Sequence, residues 1–133
     1  MVTEHFYLDS SVAVRILYGD VSAARWFDEV TGDDDAVVFS SRLLRTELTR
    51  VLRRDRKPLA SRDEIVDYLS LVPIDDVILA EAEAIVPHIK TLDAIHLASL
   101  IHTGIDATVV THDDTMRAVA ETIGFRVFDP VAA

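Results

Sequence analysis

A chain of 133 residues is long enough to bury one hydrophobic core and too short for two domains of usual size. Half of its residues are hydrophobic, and only four are Gly and four are Pro, which argues against a disordered chain and against a turn-rich β sandwich. The formal net charge of -10, taken alone, argues against a polyanionic partner. We therefore expect residues 1–133 to form a single domain.

The composition also limits location and metal chemistry. No apolar stretch reaches the roughly 18 residues of a membrane span, and the N-terminus lacks the basic start and apolar stretch of a signal peptide. The chain has no Cys, so any metal would depend on His or carboxylate ligands rather than on thiolates. We expect a soluble, cytoplasmic protein that does not contact a membrane.

The first part of the chain predicts two strands, each followed by helical segments. Residues 5–8 are a short apolar and aromatic run typical of a strand, and Asp9 stands at its carboxyl end. Two helical segments follow, separated by Gly19, which is expected to end the first of them. Residues 36–39 form the second predicted strand, and a long helix is predicted from Ser41 to about Arg56.

The second part of the chain predicts three further helices before a last strand–helix–strand unit. A capping-box pattern at Ser61–Glu64 predicts a helix that runs through Leu71 and ends before Pro73. The remaining predicted elements are a helix over 77–86 capped by Asp75 or Asp76, a helix from Thr91 to Gly104, a strand over 107–111, a helix over 116–123 and a strand over 125–128.

Strands that alternate with helices predict right-handed crossovers, and therefore an α/β fold in which helices flank a mostly parallel central sheet on both faces. In such sheets ligands bind at the carboxyl ends of the strands. Asp9 follows the first predicted strand, and Asp113 lies just past the third. Both carboxylates are therefore expected at the ligand-binding edge of the sheet.

Two further acids lie on apolar arcs of helices. At about 100° per residue, Asp93 falls between Leu97 and Leu100, and Glu47 falls inside the apolar arc of the long helix. A buried, unpaired carboxylate costs several kcal/mol. Each of these two acids is therefore expected to be protonated, to pair with an arginine or lysine, or to share a metal ion.

A shared divalent cation would account for all four carboxylates. Like charges a few Å apart repel by several kcal/mol, so four anions cannot occupy one small cleft unpaired. Mg²⁺ or Mn²⁺ takes oxygen ligands and bridges carboxylates to substrate phosphate. Because such a metal also lowers the pKa of water, hydrolysis of a phosphodiester is the predicted reaction. The predicted ligands and catalytic residues are Asp9, Glu47, Asp93 and Asp113.

Each of the four acids also has a purely structural interpretation. Asp9 and Asp113 directly precede helices and could cap them, although Asp114 competes with Asp113 for that role. Glu47 and Asp93 could instead form buried ion pairs with arginines. One shared metal ion explains the four positions together, whereas the structural interpretations require a separate explanation for each acid.

The histidines are less informative than the acids. His96 and His102 are six residues apart, which excludes the i, i+4 pair of a zinc-protease helix. His96 lies between Leu92 and Leu100 on its helix, so we interpret it as a core or supporting side chain rather than as a ligand.

The long helix predicted from Ser41 to about Arg56 is strongly basic. Seven of the 13 Lys and Arg residues lie between positions 42 and 57, against only two acids there. The plain interpretation is a solvated helix face, because runs of charge usually are that.

Four short stretches resemble the PIN-domain ribonucleases of the VapC toxin type. They are Tyr-Leu-Asp-Ser-Ser at 7–11, Thr-Glu-Leu at 46–48, Thr-Leu-Asp-Ala-Ile-His-Leu-Ala at 91–98 and Val-Thr-His-Asp at 110–113, followed by Gly124 and Val127. The third stretch is specific, and the order and spacing of all four extend the match over nearly the whole chain. Position 10 holds Ser where such proteins often carry Thr, which keeps the hydroxyl group.

This resemblance implies a PIN-like three-layer fold and places the acidic quartet of the family on Asp9, Glu47, Asp93 and Asp113. It implies an Mg²⁺- or Mn²⁺-dependent endoribonuclease toxin, usually dimeric, that cuts structured RNA such as transfer RNA and is silenced by a cognate VapB-type antitoxin. The basic helix is then expected to bind RNA phosphates through some of Arg42, Arg45, Arg50, Arg53 and Arg54. Arg42, Arg45 and Arg50 are the predicted substrate-binding residues. The side chains expected to support the acids are Ser10, Thr111 and His96.

Three other classes of protein are alternatives to this interpretation. A non-catalytic PIN-like module that binds RNA or a protein partner would show no cleavage and little loss on changing Asp93. A phosphatase of the haloacid dehalogenase type needs a second Asp two residues after the first, where Ser11 stands. A receiver domain needs an acidic pair near the first strand and a later lysine, whereas the lysines here are Lys57 and Lys90.

Overall fold

The computed structural model describes residues 2–131, which form a five-stranded sheet with helices on both faces. In chain order the elements are β1 (Glu4–Leu8), α1 (Ser10–Leu17), α2 (Val21–Thr31), β2 (Ala36–Ser41), α3 (Arg42–Arg54), a 3-10 turn (Leu59–Arg62), α4 (Asp63–Val66), β3 (Ser70–Val72), α5 (Asp76–Glu83), α6 (Thr91–Thr103), β4 (Thr108–Val110), α7 (Asp114–Ile123) and β5 (Arg126–Phe128). The strand order is β3-β2-β1-β4-β5, and every neighbouring pair is parallel. The predicted α/β fold with a parallel central sheet is confirmed.

The sheet is buried on both faces because successive side chains of each central strand point to opposite sides. On one face Leu8 and Val110 belong to a core cluster that includes apolar residues of α1 to α4. On the other face Tyr7 and Val109 belong to a second cluster with residues of α6 and α7. The molecule therefore has the three layers that the resemblance implied.

The strand order reverses between β1 and β4. From β1 the chain moves outward to β2 and β3 on one side, and then returns across the sheet to β4 and β5 on the other. The amide of Asp9 donates to the carbonyl oxygen of Val110 at 2.9 Å, which continues the pairing just beyond the ends of both strands. A crevice outside the carboxyl ends of two such strands is where open α/β sheets bind ligands.

The predicted helix from the capping box through Leu71 is wrong. Ser61 lies in the 3-10 turn, only Asp63–Val66 is α-helical, and no side chain caps that helix. Ser70–Val72 instead forms the edge strand β3, in parallel register with Phe39 to Ser41 of β2. A short apolar run does not distinguish helix from strand by periodicity. The open edge of β2 supplied the hydrogen-bonding partner that selected the strand.

The helix that carries Asp93 forms where it was predicted. It spans Thr91–Thr103, and Gly104 ends it with a positive φ of 67°, a backbone conformation that glycine adopts without steric cost. The preceding helix α5 is capped by Asp75, whose Oδ1 accepts from the amide of Ile78 at 3.0 Å, but it ends at Glu83, short of the predicted limit. None of the helices in residues 2–131 is long and apolar enough to cross a membrane.

Candidate metal centre

Asp9 lies at the point where the strand order reverses, and only 2% of its surface is exposed. Its Oδ2 accepts hydrogen bonds from Ser11 Oγ at 2.7 Å and from Thr111 Oγ1 at 2.8 Å. Its Oδ1 is buried and has no hydrogen-bond partner among residues 2–131. Although Asp9 occupies the N-cap position of α1, its side chain does not cap that helix, so the capping interpretation is wrong. A buried carboxylate oxygen without a partner is costly and matches the ligand atom of a hard cation.

Two hydroxyl groups join the ends of β1 and β4 around Asp9. Ser11 Oγ and Thr111 Oγ1 lie 3.2 Å apart and both donate to the same carboxylate oxygen. Ser11 Oγ accepts from the amide of His112 at 2.9 Å, and Thr111 Oγ1 accepts from the amide of Asp113 at 3.1 Å. Thr111 was predicted from the sequence as a supporting residue, but Ser11 was not, and its contacts with Thr111 and His112, about one hundred residues away in the chain, have no local signal.

Glu47 projects from α3 toward α1 and α6. Its Oε2 accepts from Ser10 Oγ at 3.1 Å, and its Oε1 lies 2.6 Å from His96 Nε2. Within residues 2–131 His96 is its only ion-pair partner, so the predicted alternative of a buried pair with an arginine is wrong for this acid. Both of its oxygens are thus held by residues of other elements.

His96 is fully buried between Glu47 and Tyr7, whose hydroxyl oxygen lies 2.7 Å from His96 Nδ1. A carboxylate only accepts hydrogen bonds, so His96 Nε2 donates to Glu47, and in the neutral ring Nδ1 then accepts from Tyr7. Burial acts to lower the pKa of His96, but the carboxylate of Glu47, helped by Asp9 and Asp93, outweighs it and raises the pKa. Burial also raises the pKa of Tyr7, which remains a neutral donor. The sequence identified Tyr7 only as a strand residue.

Asp93 lies in the first turn of α6 and is half-buried, not enclosed as its apolar neighbours suggested. The arc is open because Leu92 and Ile101, which flank it, remain 49% and 40% exposed. Burial, followed by the charges of Asp9 and Asp113, raises the pKa of Asp93 to about 6, and Glu47 adds to this effect. Within the described part of the chain Asp93 forms no ion pair with Arg or Lys. The raised pKa of Asp93 is therefore caused first by burial and then by the charges of Asp9 and Asp113, and His96 opposes it.

Asp113 is the N-cap of α7, and its Oδ1 accepts from the amide of Met116 at 2.8 Å. The capping interpretation is correct for this residue, and Asp114 does not compete with it, because that side chain is 93% exposed and faces Arg117. In residues 2–131 the second carboxylate oxygen of Asp113 makes no hydrogen bond. One residue can therefore cap a helix and still keep one carboxylate oxygen free of hydrogen bonds, and its charge acts on Asp93.

The donor chemistry of these acids fits a hard divalent cation better than a closed zinc cage. Across residues 2–131 no three or more His, Cys, Asp or Glu side chains are already arranged as a metal-binding group. Mg²⁺ keeps several waters and is bound directly by one or two carboxylates, so it does not require such a group. Asp9, with its unpartnered oxygen, and Asp93, which is crowded by like charges, are the residues that could bind it directly.

The predicted phosphate-binding arginines line a separate pocket beside α3. A cavity of about 220 Å³ is bordered by Arg42, Arg45 and Arg50. Arg62, the last residue of the 3-10 turn, also borders it. None of the first three forms an ion pair with any residue in the range 2–131. The sequence did not indicate Arg62, because its proximity to α3 arises only from the folding of the turn.

Another groove, of about 400 Å³, lies away from the acids and is mainly apolar. It runs between α5, the segment that follows it and the start of α6, with Leu79, Ile85 and Ile95 in its walls. None of the four acids lines it, although Thr91 and Ala94 border it close to Asp93 in the chain.

Comparison with known proteins shows the family to which the chain belongs. Residues 6–122 match the family described as "PIN domain". The chain is 33% identical over 128 residues to ribonuclease VapC46 of Mycobacterium tuberculosis (strain ATCC 25618 / H37Rv), an alignment that covers 93% of this chain and 96% of the relative. The chain therefore belongs to the PIN-domain family, and the resemblance to VapC-type ribonucleases drawn from the sequence is confirmed.

Solved structures agree with the family at the level of the fold. VapBC2 from Rickettsia felis, bound to a DNA fragment from its promoter, matches with a TM-score of 0.70 at 12% identity, covering 94% of this chain and 98% of that chain. Mycobacterium tuberculosis VapC20, a sarcin-ricin loop cleaving toxin, matches with a TM-score of 0.68 at 19% identity, covering 90% and 95%.

Proposed function

We propose that this protein is an endoribonuclease toxin of a toxin–antitoxin pair that hydrolyses RNA phosphodiester bonds with the help of Mg²⁺ or Mn²⁺. The observation that carries the proposal is the buried, unpartnered Oδ1 of Asp9, at the ligand-binding edge of the sheet and in the electrostatic range of Asp93. The similarity to a relative named ribonuclease VapC46 over almost the whole chain supports the same activity.

The four acids divide into two groups by the role that each would have at the cation. Asp9 and Asp93 would bind the cation directly, while Glu47 and Asp113 would complete the acidic site and hold water or the proton released in hydrolysis. When bound, the cation supplies positive charge that offsets the carboxylates and the scissile phosphate, and it lowers the pKa of the attacking water.

The supporting side chains orient these carboxylates before the substrate arrives. Ser11 and Thr111 donate to Oδ2 of Asp9 and so leave Oδ1 as its free ligand atom. Ser10 and His96 hold the two oxygens of Glu47. Carboxylates that are fixed in this way need little reorganisation during reaction, which is how a preorganised site lowers the barrier.

The partners follow from the same proposal. RNA would approach along the basic side of α3, where Arg42, Arg45 and Arg50 bind its phosphates. A cognate antitoxin of the VapB type would block the acidic site, and the toxin would form a homodimer. The neighbouring solved structures of VapBC2 and of a toxin–antitoxin complex from Klebsiella pneumoniae support an antitoxin partner.

The decisive experiment is cleavage of total cellular RNA by the purified protein, with and without a chelator. We expect cleavage with Mg²⁺ or Mn²⁺ and its loss with the chelator or in the Asp93→Asn variant. Asp106→Asn is the matched control, because Asp106 lies at the opposite, amino end of β4 and is 84% exposed. Cleavage that survives both the chelator and Asp93→Asn would contradict the metal mechanism. RNA binding without any cleavage would favour a non-catalytic PIN-like module.

A further inference from the structure

The cavity beside α3 has an unusual lining for a protein with a net charge of -10. It contains four guanidinium groups, two hydroxyl groups and no carboxylate. Its volume of about 220 Å³ is sufficient for one phosphate group with water. The lining residues are Arg42, Arg45, Thr46, Thr49, Arg50 and Arg62.

Arg62 is anchored in this pocket instead of extending into solvent. Its Nη1 donates to Thr49 Oγ1 at 2.8 Å, and only 21% of its side chain is exposed. The hydroxyl of Thr49 donates in turn to the carbonyl oxygen of Arg45 at 2.8 Å, so its acceptor side is directed to Arg62. The position of the Arg62 guanidinium is thereby fixed by two elements of the fold, which reduces the entropy that it would lose on binding a ligand.

The positive charge of the pocket is not neutralised by the protein. Within residues 2–131 the only ion-pair partner of Arg62 is Asp63, at 3.5 Å from its Nε, and that carboxylate is 48% exposed. Arg42, Arg45 and Arg50 have none in that range, although Arg42 Nη1 donates to Thr46 Oγ1 at 3.1 Å. Guanidinium groups gathered around one cavity repel each other, and an anion in the cavity would reverse that cost.

The pocket also adjoins the acidic site along α3. Arg50 follows Glu47 by one helical turn, so their Cβ atoms are about 5–6 Å apart. An anion in the pocket would therefore lie on the same helix as Glu47 but outside the acidic site, because none of the four acids lines the pocket. A continuous RNA strand can present one phosphate to the acids and another to the arginines, whereas a free phosphate ion cannot bridge them.

We propose that this pocket binds a backbone phosphate of the RNA substrate other than the scissile one, with Arg62, held by Thr49, as its anchored donor. The inference rests on the proposed ribonuclease function. It adds to the arginines of α3 a residue from outside that helix, and it assigns a defined binding subsite to what would otherwise be a diffuse basic surface.

The test measures binding of a single-stranded RNA oligonucleotide in the Asp93→Asn background, so that the probe is not cut. Arg62→Ala is expected to weaken binding about fivefold to tenfold and to reduce the magnitude of the salt slope by about 0.7, the loss of one phosphate contact. Arg53→Ala removes the same charge from the basic helix α3 but not from the pocket lining, and it should weaken binding by less than about twofold. Equal losses in Arg62→Ala and Arg53→Ala would mean diffuse attraction and would overturn the proposal.

A charge-neutral variant separates positioning from charge. Thr49→Val keeps the shape and net charge but removes the acceptor of Arg62, and we expect a threefold or larger loss of RNA affinity, roughly the value of one hydrogen bond. Arg62→Lys keeps the charge without the planar fork and should lose a similar factor. Thermal unfolding of each variant verifies the fold. Affinity at the wild-type level in both would overturn the proposal.

Inorganic phosphate distinguishes the two sources of the same ligand chemistry. We expect it to compete with the oligonucleotide only weakly. If phosphate binds the pocket while RNA affinity does not depend on Arg62 and Thr49, the occupant is a small anion and the proposal fails. If these variants lose RNA affinity but the wild-type protein cuts no RNA, the nuclease proposal fails while the phosphate subsite is supported.

Discussion

His96 Nε2 lies 2.6 Å from Glu47 Oε1, so a fully buried imidazole of α6 holds a carboxylate of α3. The same ring contacts the hydroxyl of Tyr7 in β1 through Nδ1. Residues of β1 and α6, which are distant from α3 in the chain, thus determine the orientation of one acid, and Ser10 at the start of α1 holds its other oxygen. The geometry of the acidic site depends on the packing of the core as much as on the acids themselves.

Removing the Tyr7 hydroxyl tests whether this contact matters for catalysis. Tyr7→Phe leaves His96 Nδ1 without its partner, and we expect RNA cleavage to fall about tenfold, the usual effect of losing a supporting contact to a ligand. The unpaired buried nitrogen should also lower the free energy of unfolding by about 1–3 kcal/mol. Steady-state cleavage kinetics and urea unfolding measure the two effects. Tyr68→Phe is the matched control, since Tyr68 is 62% exposed, and unchanged cleavage by Tyr7→Phe would contradict the orienting role.

Metal binding can be detected without measuring activity. A ligand that binds only the folded state stabilises it by about 2.7 kcal/mol when its concentration is one hundred times its dissociation constant. We therefore expect saturating Mg²⁺ or Mn²⁺ to raise the melting temperature of the wild-type protein. Asp9→Asn should abolish the shift, and Asp106→Asn should retain it. A shift of equal size in Asp9→Asn would rule out Asp9 as a ligand.

The raised pKa of Asp93 predicts how the metal-free protein responds to pH. In the folded state the pKa of Asp93 is about 6, against its ordinary value of 3.8, because burial and the neighbouring acids disfavour the charge. Between these values the folded state binds more protons than the unfolded state, so the contribution of Asp93 to stability falls as the pH rises. Below pH 3.8 both states are protonated and the contribution is unaffected by ionisation.

Replacing Asp93 removes this pH-dependent cost. In the presence of a chelator at pH 7, Asp93→Asn should be more stable than the wild type by about 1 kcal/mol, well below the full linkage value because the group is half open to solvent. The difference should shrink toward pH 4, and urea unfolding at both pH values measures it. A difference that does not change with pH would contradict the raised pKa of Asp93.

Asp113 combines two roles that a pair of substitutions can separate. Asparagine caps helices about as well as aspartate, so Asp113→Asn should retain the stability of α7, whereas Asp113→Ala should lose about 1 kcal/mol. Both variants remove the charge, and both should cut RNA at least about tenfold more slowly if that charge contributes to the site. Full cleavage by Asp113→Asn would leave Asp113 as a helix cap alone.

The sequence by itself determined the fold class and the positions from which the acids project. Alternating strands and helices require parallel crossovers, and this places Asp9 and Asp113 at the same edge of the sheet. The periodicity of α3 and α6 places Glu47 and Asp93 on the apolar arcs of their helices and not on the polar faces, where acids usually lie. These features are local, because each depends only on residues within a few turns of the helix or one strand.

The tertiary structure alone decided the side-chain partners and the marginal elements. Ser11 and Thr111 meet on Asp9, and Tyr7 reaches His96, across about ninety to one hundred residues of chain, and no periodicity encodes such contacts. The segment Ser70–Val72 became a strand because the edge of β2 was open. Arg62 joined the arginines of α3 because the 3-10 turn folds back against that helix. Each outcome was set by packing between elements, whose energy is not contained in any local stretch of the sequence.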